Sequence, residues 1–172
     1  NDTVLLLASG QSGTGLKDSS VKKKFRAVLN EVAKSLADQV ILDGEGMQHV
    51  IRLHIEEAKS REEALQIART IAHSLLVKTA FAGADPNWGR ILAAIGRSGV
   101  AVDPSKINIL VSDQTVCRNG TSCPFEAARA HADLAKPECK ITVRLRRGRN
   151  SIVFTTRDLT AEYVRINADY ST

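Results

Sequence analysis

Apolar residues recur at two periods along this chain, and the switch between them separates helices from strands. Between Val21 and Val40 they recur at spacings of three and four, at Val21, Phe25, Val28, Leu29, Val32, Leu36 and Val40, with Lys22, Lys23, Lys34 and Asp38 opposite. Such a stripe marks an amphipathic helix, and Asp43-Gly44 provides its exit, because glycine adopts the backbone angles a helix end requires. The period then falls to two. "HVIRLHI" puts Ile51, Leu53 and Ile55 on one face and Arg52 and His54 on the other, which predicts a half-buried strand. "SREEALQIARTIAHSLLVKTAF" returns to helix: Ser60 lies three residues before Glu63, a capping-box spacing, and Ala64, Ile67, Ala68, Ile71 and Leu75 continue one face.

The remaining patterns are shorter. "TVLLLAS" (Thr3 to Ser9) is an unbroken apolar run ended by Gly10, Gly13 and Gly15, the pattern of a buried strand. Asp85-Pro86 breaks the chain before "NWGRILAAIGRSG", a short helix with Asn87 near its start and Gly99 past its end. Ile107 to Asp113 predicts a strand, and Pro124 at a first helical position opens the short helix "FEAARAHADLA". "CKITVRLRRGRNSIVFTTRDL" predicts a hairpin turning near Gly148 to Asn150. "TAEYVRINADYST" predicts a final helix that frays into a tail. Strands and helices mix without a βαβ rhythm, so the expected class is α+β, with mixed or antiparallel sheets packed against helices. A division into two lobes is expected near 85–102.

Composition narrows the class without naming a function. The 172 residues are 43% hydrophobic and 25% charged with a net charge of +5, and a length of this order buries a proper core. The modest positive charge permits anionic ligands or nucleic acid and demands neither. No apolar run reaches the roughly 18 residues that span a bilayer, and "NDTVLLLASG" lacks the basic region of a signal peptide. Cys117, Cys123 and Cys139 are odd in number and form no C-x-x-C pair, which predicts reduced thiols in a cytoplasmic setting. The chain opens on Asn1 rather than Met and starts directly in an apolar run, so it is expected to be a piece of a longer polypeptide.

Several stretches invite a chemical reading beside a structural one. "SGQSGTG" has the glycine density of a phosphate cradle but neither the Lys-Ser/Thr ending of a P-loop nor a dinucleotide spacing, which favours a plain turn. His49, His54, His73 and His131 show no metal-ligand spacing. Arg144, Arg146, Arg147 and Arg149 cluster at the expected hairpin tip, where a basic nucleic-acid-binding module is one reading. Aromatic residues that stack bases are absent there. "GADPNWGR" reads as a capped, stiffened turn. "DGEG" leaves Glu45 bare between Gly44 and Gly46: either a solvated turn, or a carboxylate brought close to a ligand. The polar tail "INADYST" reads as a fraying end.

Taken together, "NDTVLLLASG", "DGEG", "AKSREEALQIARTIAHSLLVKTAFAGADPNWGRILAAIGRSG" and "YVRINADYST" resemble, in order from Asn1 to Thr172, the carboxyl-terminal part of the second (beta) chain of the ornithine acetyltransferase (glutamate N-acetyltransferase) family. The combination of "DPNWGRILAAIG" with a terminal "INADY" is the most specific part. The resemblance implies the self-processing, DmpA-like α+β fold of that family. It implies a precursor that cuts itself before a threonine, and two chains that stay associated, two alpha with two beta. It also implies transfer of an acetyl group from N-acetylornithine to glutamate through an acetyl-threonine, in arginine biosynthesis. Some members also take acetyl-CoA as donor. Neither metal nor bound cofactor is implied.

Carried over by position, the family's substrate contacts fall on Glu45, Asn167 and Thr172, and no catalytic residue falls in this chain: the nucleophilic threonine lies upstream of Asn1. Met47-Gln48-His49 stands where the family commonly has Ala-Thr-Lys, which leaves Glu45 in place and alters its neighbours. A related self-processing aminopeptidase or amidase, which gives its acyl group to water, is the alternative enzyme reading.

Overall fold

The computed structural model describes residues 3–13 and 15–169. The chain divides into two units, Asn1–Gln39 and Val40–Thr172, and the stretch 85–102 lies inside the second.

Helix α1 (Ser19–Leu42) accounts for most of the first unit and follows its apolar stripe. Asp18 starts it: its Oδ1 accepts the Ser20 and Val21 N–H groups at 2.6 and 3.2 Å, the bonds an N-cap makes. No residue of α1 is buried. Phe25, Val28, Val32, Leu36 and Val40 are 43% to 60% exposed, so the helix forms while its stripe stays open. The run Thr3 to Ser9 corrects the sequence expectation. It forms no strand, and Val4 to Leu7 are at least 71% exposed. An apolar run becomes a strand only where a neighbour takes up its backbone N–H and C=O groups, and no strand among the described residues pairs with it.

The second unit is built on a six-stranded sheet. Its strands are β1 (Val50–Ala58), β2 (Asn108–Val111), β3 (Gln114–Arg118), β4 (Thr121–Ser122), β5 (Glu138–Arg144) and β6 (Asn150–Arg157), in the order β4-β3-β2-β5-β1-β6. Strand β1 runs parallel to β5 and antiparallel to β6, and the other pairs are antiparallel. The class is therefore α+β, as the mixed pattern predicts. Register explains the alternation read in β1. Leu53 stands between Ile141 and Phe154, and Ile55 between Val143 and Ile152, on the buried face. Arg52 stands between Lys140 and Thr155 on the other. Helix α2 (Arg61–Ala72) packs on β1 and β6, and α5 (Ala127–Leu134) on β5 and β2.

Four local expectations change. First, β5 and β6 are not a hairpin, because β1 lies between them. Their connection wraps the end of β1: Leu145 N–H donates to Glu56 O, and Arg147 and Gly148 N–H both donate to Glu57 O. Glu57 bulges out with φ +58 to allow it. Second, the long helical pattern after Ser60 splits into α2 and α3 (Leu75–Ala82), since Ser74 is extended. The break turns Leu75 out, 67% exposed, and lets Val77, Ala80 and Phe81 bury instead. Third, α5 starts at Ala127, so Pro124 precedes it by three residues rather than opening it. Fourth, β3 and β4 form a tight hairpin that the sequence reading did not separate. Asn119 and Gly120 both have positive φ, 53 and 72, the requirement of a type I′ turn. Elsewhere α4 (Trp88–Gly96) and α6 (Ala161–Asp169) lie where the pattern puts them.

The arginine cluster is tied into this framework. Arg144 Nε donates to Glu56, Arg146 to Asn119 Oδ1, and Arg147 to both oxygens of Glu63 at 2.8 and 3.2 Å. All three cysteines are free thiols, and burial pushes the Cys139 thiol up to about 12, far from a nucleophilic thiolate. Among the described residues no helix is long and apolar enough to cross a membrane.

Candidate functional site

The glycines around Glu45 have separate tasks. After α1, Met47 N–H bonds back to Gly44 O at 3.4 Å, closing a turn with Glu45 and Gly46 as its central pair. Gly46 has φ +63, and a positive angle at the third position of such a turn is where glycine belongs. Glu45 is left exposed at the corner. Side chains are also excluded by contact. A Cβ on Gly46 would lie 2.7 Å from Tyr163 N and 2.9 Å from Tyr163 Cα, and one on Gly44 would overlap the Arg157 guanidinium. The turn is thus pressed against the first turn of α6.

The segment between β6 and α6 holds that arrangement. Asp158, 3% exposed, accepts the Gln48 N–H and the His49 N–H, each at 3.2 Å, and its own N–H donates to His49 O. Thr160 donates its hydroxyl to Gly46 O and accepts the Tyr163 N–H at 3.0 Å, the second bond being that of a helix cap. The Arg157 guanidinium lies 5.1 Å over the Tyr163 ring, a cation–π separation.

Asn167 lies one turn beyond Tyr163 on α6. It is exposed, and its Nδ2 donates to Tyr163 O at 2.9 Å. The structure therefore brings the loop of Glu45 and the helix of Asn167 together at Tyr163. Thr172 lies outside the described residues. Beside this junction is a cavity of about 280 Å³ lined by Ala72, His73, Leu75, Lys78, Tyr163 and the Arg157-to-Leu159 segment. Neither Glu45 nor Asn167 lines it. Burial, and then the neighbouring Arg157 charge, holds the Lys78 ammonium pKa below its ordinary value, with Asp158 opposing.

"GADPNWGR" has a structural account. Asn87 Oδ1 caps α4 by accepting the Arg90 N–H at 3.2 Å, and its Nδ2 donates to Asp85. Arg90 Nη1 reaches Leu76 O at 2.8 Å, fastening α4 to α3. A cleft of about 740 Å³ lies along this seam, with Leu75, Leu76, Arg90 and Arg97 in its wall. Among the described residues no group of three or more His, Cys, Asp and Glu is gathered to hold a metal ion.

Sequence reasoning singled out Glu45 and Asn167 but missed Asp158, Thr160 and Arg157. Thr160 before the helical "AEYVRIN" carries a readable signal, since threonine at a helix start is a cap candidate. Asp158 carries none, because its partners are 109 and 110 residues away.

The whole chain, residues 1–172, matches the family model described as ArgJ family. It is 41% identical over 171 residues to "Arginine biosynthesis bifunctional protein ArgJ 1" of Streptomyces clavuligerus, covering 99% of this chain and 43% of that protein. It is also 41% identical over 176 residues to "Arginine biosynthesis bifunctional protein ArgJ" of Methylococcus capsulatus, covering all of this chain and 43% of that protein. The chain thus spans less than half the length of these curated relatives. Among solved structures, the crystal structure of arginine biosynthesis bifunctional protein argJ from Bacillus halodurans superposes with a TM-score of 0.87 at 36% identity. That match covers 99% of this chain and 81% of the other.

Proposed function

The chain belongs to the ArgJ family, and from that premise we propose that it is one part of an acetyltransferase of arginine biosynthesis that moves an acetyl group from N-acetylornithine to glutamate. The nucleophile is a threonine hydroxyl carried by a segment upstream of Asn1. It attacks the acetyl carbonyl, the C–N bond breaks, and ornithine leaves with the proton that the threonine's own α-amine has taken up. The amine of glutamate then attacks the acetyl-threonine ester and restores the hydroxyl. The exchange is redox-neutral and balances without a cofactor.

In this reading Glu45 holds a substrate ammonium, and Asn167 and Thr172 offer polar groups to the rest of the substrate. The observation that carries it is the packing of the Gly44–Gly46 turn against α6, which puts an exposed carboxylate beside the helix that bears Asn167. The complete enzyme is proposed to be cytoplasmic, with two alpha and two beta chains, and acetyl-CoA is a proposed second donor. The test uses the full two-chain protein and N-acetylornithine labelled in its acetyl group. Label is expected on a threonine-bearing peptide, and then in acetylglutamate once glutamate is added. Label released only as acetate marks the hydrolase instead, and no label on the protein removes the acyl-enzyme.

A further inference from the structure

We infer that Asp158 and Thr160 are positioning residues for Glu45, fixing the loop that carries it against the helix that carries Asn167. The inference rests on the roles given above to Glu45 and Asn167. A carboxylate as buried as Asp158 is costly unless its oxygens are bonded. It is supplied with the N–H groups of two successive loop residues, Gln48 and His49. Thr160 uses both capacities of its hydroxyl, the proton on Gly46 O and a lone pair on the Tyr163 N–H. The bonds land on either side of Met47, immediately after Glu45, and the same segment, Asp158 to Thr160, leads directly into α6. Loop and helix are therefore bonded to one and the same segment. The arrangement fixes the separation of the Glu45 and Asn167 backbones without help from either side chain, which leaves both side chains exposed.

This assignment gives Thr160 a defined chemistry. Valine keeps the shape of threonine but cannot donate or accept, so it breaks both bonds. Serine keeps both. For Asp158, asparagine retains one acceptor oxygen and turns an amide N–H toward a backbone N–H.

The experiment uses the full two-chain enzyme with Asp158→Asn, Thr160→Val, Thr160→Ser, Glu45→Ala and the Glu45→Ala/Asp158→Asn double variant. Acetylglutamate formation at saturating glutamate gives KM for N-acetylornithine and kcat, and hydrogen exchange follows the Gln48 and His49 amides. Displacing a binding group by a fraction of an ångström to one ångström is expected to raise KM about tenfold or more for Asp158→Asn and Thr160→Val. The kcat should change far less, and exchange at Gln48 and His49 should quicken. Thr160→Ser should restore the parent KM. Because Asp158 acts through Glu45, adding Asp158→Asn to Glu45→Ala should raise KM no further. Faster exchange with an unchanged KM would reduce Asp158 to a structural brace, and multiplicative effects in the double variant would detach it from Glu45. Either result overturns the inference while a raised KM in Glu45→Ala leaves the substrate reading standing. An unchanged KM in Glu45→Ala removes the substrate reading itself.

Discussion

Replacing Gly46 with alanine tests whether the Glu45 turn is held as tightly as its contacts indicate. Two costs add. Alanine at φ +63 enters the left-handed region, at roughly 1–2 kcal/mol. Its Cβ would also lie 2.7 Å from Tyr163 N and 3.0 Å from Glu162 C, where an ordinary contact is about 3.5 Å. Loop and helix must therefore part by most of an ångström, and forced overpacking of this kind costs about 1–3 kcal/mol. The sum is roughly 2–5 kcal/mol, which for a chain of this size lowers Tm by roughly 4–20 °C if the unit unfolds as a whole. Gly96→Ala is the internal control. Its Cβ meets nothing within 4 Å, and a helical Gly→Ala change gains up to about 1 kcal/mol. Thermal unfolding followed by circular dichroism, with KM for N-acetylornithine on the same preparations, should separate the two variants in opposite directions. Equal melting points and equal KM values for Gly46→Ala and Gly96→Ala would refute the reasoning.

Two further outcomes follow from the framework around the site. The Arg147 hydrogen bonds to Glu63, opposed by burial and aided by the Lys59 N–H, hold the Glu63 carboxyl below its usual range. Its folded pKa lies below its unfolded one, so its stabilisation is present above the ordinary carboxylate range and is lost as pH falls through the folded value. Urea midpoints of the parent and Glu63→Gln should differ at pH 7 and converge as acid protonates Glu63, and a gap that stays the same size down to the most acidic pH at which both fold would contradict this. Gly148→Ala places a Cβ 2.4 Å from Ala58 O and 2.9 Å from Lys59 Cα, both backbone. The crossing over β1 must then open, with a loss of about 1–3 kcal/mol and faster exchange of the Arg147 amide; no loss would mean that the connection does not press on β1.

Features set by local pattern were legible in the sequence. The alternation in β1, the Ser60 cap, whose hydroxyl accepts the Glu63 N–H at 3.2 Å, and the Asn87 cap each depend on residues within a few positions. What was hidden depends on distant partners. Nothing in "RLRRGRN" tells that β1, some ninety residues earlier, inserts between the flanking strands, because pairing is decided by the sheet and not by the turn. The run Thr3 to Ser9 has the composition of a strand, but a strand exists only with a neighbour. The α2–α3 break has no glycine or proline to announce it and is set by which residues reach the core. At the site, the flanking glycines made Glu45 conspicuous, while only the family resemblance favours a binding loop over a solvated turn. Asp158 looks like any acid before a helix, and its burial against Gln48 and His49 shows only in three dimensions.

The most direct test of the central claim is a crystal structure of the complete enzyme, in the two-chain form proposed above, with N-acetylornithine bound. The account predicts a Glu45 carboxylate oxygen about 2.7–2.9 Å from the substrate ammonium, the distance of a charge-assisted hydrogen bond, with Asn167 lining the same cavity. A substrate bound elsewhere, with Glu45 facing solvent, would contradict it.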